Sequence, residues 1–269
     1  MARLGILTLH GMGNTEPDYA AELFERISLE LGEDLRGSVA TQAVFYQDIL
    51  QHNQSLYFKT VKRRLRWDDL REFMLYGFSD AASLEARKEG PTSPYFLAQT
   101  NILTALRALY NKLEGNDRRL IILAHSLGGQ VISNFLWDST RDRKTQNGVW
   151  SEDQNFSSPE EEAFCRGKKT VRLLTTGCNI PIFVAGLNRS LIEPIPKLSD
   201  TFEWHNYYDK DDVLGWPLRD LSDSYAERVT RDHSLNAGLV TGFTPLSHKN
   251  YWRDRDFIKP FMKHIKSSL

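Results

Sequence analysis

The chain begins with a short apolar run, Leu4 to Leu9, closed by Gly11 and Gly13. A run this brief, ended by turn residues, predicts a buried strand. The period then changes. Ala20, Leu23, Phe24, Ile27 and Leu31 fall three or four apart, which predicts a helix over Pro17 to Leu31, with Pro17 suited to its first turn. Val39 to Tyr46 predicts a second strand. Gln47 to Pro94 is less regular, but from Trp67 onward Leu70, Phe73, Met74 and Phe78 share one helical face, while Asp68, Asp69, Arg71 and Glu72 lie elsewhere. That face suits packing on a core, covering a substrate, or meeting a membrane. Gly90, Pro91 and Pro94 break the pattern, and Ile102, Leu106, Leu109 and Leu113 then predict a long helix from about Tyr95, stopped by Gly115 and Asn116.

The stretch "RRLIILAHS", ending at Ser126, is continuously apolar in the way of a strand buried on both faces of a parallel sheet. Leu127 to Trp137 predicts the helix after it. Thr140 to Lys169 is polar and reads as a surface excursion. "TVRLLTTG" from Thr170 and "FEWHNYYDK" from Phe202 predict two more strands. Phe257, Ile258, Phe261 and Ile265 predict a closing helix over Asp254 to Ile265. Alternating strands and helices without a repeat predict an α/β protein, a mostly parallel central sheet with helices on both faces. No composition shift marks a boundary, so residues 1–269 read as one domain with a helical insert or lid over 47–94.

Composition narrows the function little. The formal net charge of -1 gives no electrostatic ground for a nucleic-acid partner. "VKRRLRW", Val61 to Trp67, is a local basic cluster, suited to a solvated face or to an anionic surface. The two cysteines, Cys165 and Cys178, do not form a disulfide framework, and a reduced, cytoplasmic setting is the expectation. No metal-ligand spacing and no phosphate-cradling glycine loop is present, so neither metal nor cofactor is expected.

The chemistry centres on Ser126. A strand that stops abruptly before a helix turns sharply, and a serine at the apex has its hydroxyl pushed out above the sheet. The residues two positions either side must be small, and here they are Ala124 and Gly128. The N–H of Leu127, at the helix start, is a natural donor to an oxyanion. The bland alternative is a serine that caps the helix.

With Ala124-His125-Ser126-Leu127-Gly128-Gly129 in strand-turn-helix context, and His10-Gly11-Met12-Gly13 after the first strand, the chain resembles the α/β-hydrolase superfamily, specifically its lipase- and esterase-like serine hydrolases. It departs from the usual pattern by carrying Ala124 where glycine is common. The resemblance implies an α/β-hydrolase fold and a second oxyanion donor from the HGMG turn, by position Met12, with Gly11 as the alternative and His10 bracing the loop. It implies an acid and then a histidine downstream of Ser126. "HKNYW" looks like the family's base position and points to His248, with His233 the other candidate. "DDVLGWP" looks like the family's acid segment and points to Asp211, with Asp209 and Asp212 adjacent. The activity implied is cleavage of a small or lipid-like carboxylic ester through an acyl-enzyme. Acyl transfer or thioester cleavage by the same triad, and a non-catalytic ligand-binding role, are the alternatives.

Overall fold

The computed structural model describes residues 1–13, 15–86, 90–236, 248 and 250–269, and only the backbone of 50–53, 69, 73 and 84–86. Six strands form one sheet in the order β2-β1-β3-β4-β5-β6. They are β1 (Leu4–Leu9), β2 (Val39–Val44), β3 (Arg119–His125), β4 (Thr170–Thr176), β5 (Glu203–Asp209) and β6 (Arg231–Leu235). Every neighbouring pair is parallel.

Side chains alternate across the sheet and so divide the core in two. Leu7, Leu9, Leu120, Ile122, Ala124, Leu173 and Trp204 face one layer, with α4 (Pro94–Lys112) and α5 (Leu127–Thr140). Leu4, Ile6, Ile121, Leu123, Leu174 and Tyr207 face the other, with α1 (Ala21–Arg36) and the final helix, α9 (Arg255–Ser267). Helices on both faces explain why β1 and β3 read as unbroken apolar runs. Each large side chain buried here contributes about 1.5–3 kcal/mol of transfer free energy. The layers and strand order are those of an α/β-hydrolase fold, with the β3–α5 turn near the middle of the sheet.

Several elements differ from the sequence expectation. α1 starts at Ala21, after a turn, and kinks at Gly32 (φ 69°). The polar segment after Thr140 is no mere surface excursion. Val149 and Trp150 sink into the core, and Ser158 caps α6 (Pro159–Cys165), which buries Phe164 and Cys165. β6, a charged edge strand, and the short helices α7 (Ile180–Val184) and α8 (Asp223–Arg228) carry too little periodicity to be foreseen.

Between β2 and α4 lie α2 (Gln47–Val61), a turn of 3-10 helix (Lys62–Arg64) and α3 (Asp68–Ala86). α2 and α3 pack antiparallel. Gln54 donates to Asp80 at 2.9 Å, and Phe58 meets Tyr76 edge to face. Leu70, Met74 and Phe78, the face expected to pack, cover a substrate or meet a membrane, are exposed to solvent.

Candidate active site

Ser126 stands between β3 and α5 with φ 53° and ψ -123°, a conformation that a side chain adopts only under constraint. Its hydroxyl does not cap the helix. The turn holds because the neighbours are small. A Cβ at Gly128 would lie 2.6 Å from the His10 carbonyl oxygen and 2.9 Å from that of Leu9. A Cβ at Gly11 would lie 2.7 Å from Ser126 Cβ and 3.3 Å from its Oγ. Glycine at 128 thus lets α5 approach β1, and glycine at 11 lets the HGMG turn lie directly on the serine. Ser126 is 0% exposed, and its Oγ has no hydrogen-bond partner among the described residues.

The structure brings His248 to a carboxylate, but not to Asp211. His248 Nδ1–H donates to Asp212 Oδ2 at 2.7 Å, with both side chains buried. Asp211 is exposed, and among the described residues it is engaged through its backbone N–H, which donates to Asp209 Oδ1. The reason is local. β5 ends at Asp209, and a turn closed by Asp212 N–H on the Asp209 carbonyl swings residue 211 outward and residue 212 inward. Asp212 Oδ1 accepts the Leu214 N–H at 3.0 Å, and Oδ2 also accepts the Tyr251 hydroxyl at 2.8 Å. Burial raises the Asp212 pKa, but the His248 contact, the Leu214 N–H and the Tyr251 hydroxyl outweigh it and hold the carboxyl below its usual range. Tyr251 Oη accepts the Asp209 N–H at 2.9 Å, and burial followed by the Asp212 charge raises its pKa, so it stays a donor.

His248 Nε2 has no hydrogen-bond partner among the described residues. The ring of His125 lies 4.7 Å from that of His248, and Gly177 (φ 54°) is tucked against Asp212 and His248. A Cβ at Gly177 would come 3.0 Å from His248 Cε1 and 3.1 Å from Asp212 Oδ2. His125 Nδ1–H donates to the Thr176 carbonyl at 3.0 Å, and Trp252 Nε1 donates to the Thr176 hydroxyl. Burial, then the neighbouring His248, lowers the His125 pKa to about 3, so it remains a neutral packing group. His10 receives the Tyr46 N–H on Nε2 and stacks on the Tyr46 ring, and burial lowers its pKa to about 4. It braces the turn.

The alternative base, His233, lies on β6. Its ring bonds His205 at 3.0 Å and stacks on Tyr207. Cys178 is free and buried, with its thiol pushed up to about 12. No cluster of three metal-ligating side chains occurs among the described residues. A cleft of about 340 Å³ opens beside the site, its walls including Gly11, Met12, His125, His248 and Trp252.

Sequence reasoning found Tyr251 only as part of a positional marker. The one sequence signal for its role is its spacing, three residues after His248. Gly177 gave a signal only as the end of a strand.

No family model and no curated protein matches this sequence. Solved structures similar over nearly the whole chain include the following two. One is an iodinated complex of acetyl xylan esterase, at 11% identity and TM-score 0.47, covering 100% of this chain and 99% of that one. The other comes from work on LipS and LipT, two metagenome-derived lipolytic enzymes, at 10% identity and TM-score 0.41, covering 99% of this chain and 93% of that one.

Proposed function

We propose that this protein is a serine hydrolase that cleaves a carboxylic ester through an acyl-enzyme. The observation that carries the reading is two unsatisfied buried atoms at one cleft, whose wall includes both His248 and Gly11, the glycine that lies against Ser126. Ser126 Oγ, on a strained turn, and His248 Nε2, whose ring is fixed through Nδ1 by Asp212, are both buried without a hydrogen-bond partner among the described residues. A buried polar atom left unpaired is costly, and such atoms concentrate where a reaction supplies the missing partner.

In this reading Ser126 attacks the ester carbonyl and His248 takes its proton through Nε2. His248 then returns the proton to the leaving alcohol, and water hydrolyses the acyl-enzyme by the same path. Asp212 holds His248 in the tautomer with the proton on Nδ1. The N–H groups of Leu127, at the start of α5, and Met12, in the HGMG turn, receive the oxyanion. The ester enters through the cleft walled by Gly11, Met12 and His248.

The test is fluorophosphonate labelling together with turnover of p-nitrophenyl esters of increasing chain length. Wild type labels at Ser126 and turns over at least one ester, and Ser126→Ala abolishes both while remaining folded. Folded wild-type protein that does neither would remove the proposal.

A further inference from the structure

The α2–α3 hairpin leaves several large apolar side chains exposed. Trp67 is 75% exposed and Phe78 62%, and Leu56, Tyr57, Leu70 and Met74 are exposed with them. A groove of about 660 Å³ runs between the two helices, floored by Phe58 and Leu75. Soluble chains rarely leave so many large apolar side chains together in water without a partner. Trp67 is also, besides Ser126, the one non-glycine residue with positive φ among the described residues, at 69°. Its backbone is held in an unfavourable conformation while its indole points into solvent.

Charge identifies the partner. Between Lys59 and Arg71 the sequence carries six cations, Lys59, Lys62, Arg63, Arg64, Arg66 and Arg71, against two aspartates, in a chain of net charge -1. All six cations are exposed. Arg64 and Arg71 line the groove itself, and Lys59 and Lys62 line the neighbouring cleft on the other side of Phe58, so the apolar face is flanked by positive charge. A second copy of the chain would set one positive flank against another, which argues against self-association. An apolar centre with tryptophan and tyrosine beside basic residues matches the boundary between acyl chains and anionic headgroups.

We propose that the α2–α3 hairpin is a docking surface for an anionic lipid bilayer. The aromatic and aliphatic side chains enter the headgroup–acyl boundary and the cations contact lipid phosphates. The hairpin also touches the candidate site. Gly77 of α3 packs so closely on Met12 that a Cβ there would lie 2.5 Å from its sulfur. Docking would thus hold the HGMG turn beside the membrane.

The experiment is vesicle sedimentation of the full chain with phosphatidylcholine alone and with equal parts phosphatidylcholine and phosphatidylglycerol. The protein sediments with the mixed vesicles, not with the neutral ones, and sodium chloride weakens the binding. Arg63→Ala with Arg64→Ala weakens it by on the order of 25-fold, at about fivefold for each cation lost. Trp67→Ser weakens it too, while circular dichroism stays unchanged in both variants. Ser126→Ala binds as wild type does, so this result stands or falls apart from the hydrolase reading. Absence of binding to anionic vesicles, equal binding to neutral ones, or variants that bind as well as wild type would overturn the proposal. A concentration-dependent dimer dissolved by Trp67→Ser would overturn it as well.

Discussion

Replacing Asp212 by asparagine separates the proposed triad from every alternative acid. In wild type, Oδ1 accepts the Leu214 N–H at 3.0 Å while Oδ2 faces His248 Nδ1 at 2.7 Å. The Leu214 N–H continues to demand an oxygen, so the asparagine amide places its NH₂ where Oδ2 stood. His248 Nδ1 then faces a donor and must accept. Its proton moves to Nε2, the atom that has to receive the Ser126 proton, and the base is blocked without any loss of shape. An inverted tautomer of this kind costs about 10⁴-fold in kcat, close to 5 kcal/mol of transition-state stabilisation. Asp211→Asn should stay within about twofold of wild type, because that side chain is exposed. The assay is kcat on the best p-nitrophenyl ester, with the fluorophosphonate labelling rate as a second readout. An Asp212→Asn protein keeping more than about a tenth of wild-type kcat would refute the reasoning. So would an Asp211→Asn protein that loses activity while Asp212→Asn does not.

Tyr251→Phe removes the donor to Asp212 and the acceptor of the Asp209 N–H, so kcat should fall about tenfold with KM little changed, and urea denaturation should show a loss of about 1–3 kcal/mol. Gly128→Ala drives a methyl group into the His10 and Leu9 carbonyls, so it should cost about 1–3 kcal/mol of stability, seen as a lower thermal midpoint, and depress kcat by displacing the HGMG turn. Histidines held neutral by burial or half-burial contribute to the acid response. His10, His233 and His264 fall to about 4 and His125 to about 3, all through burial first, against 6.5 in the unfolded chain. Their folded values are depressed, so the unfolded chain binds the extra protons. The stability they support is present above pH 6.5 and is lost as pH falls toward 4, at up to about 1.4 kcal/mol per pH unit for each histidine. Urea midpoints at pH 7 and pH 5 check it, and a midpoint unchanged between the two would refute it.

The elements carrying the longest apolar patterns were legible in the sequence. β1, β3, α4 and α9 are patterned by burial against two layers, and burial leaves a period in the chain. Ser126 was legible for a related reason, since an apolar strand running into small residues has few ways to turn. The acid was not. Choosing between Asp211 and Asp212 depends on where β5 releases the chain, and a one-residue change of exit reverses which carboxylate faces inward. β6 was hidden because an edge strand of charged residues has no apolar alternation to display. The exposed face of α3 misleads in the opposite sense, since its helical spacing is indistinguishable from that of a helix packed on a core.

Ser126 has no exposed surface and the HGMG turn lies against it, so we predict that an electrophile meets the hydroxyl only when that turn moves. The labelling velocity should therefore climb with phosphonate concentration and then level off, at one ceiling for probes of very different intrinsic reactivity. That ceiling would measure how often the turn opens, making the serine a clock for a backbone motion as well as a reagent.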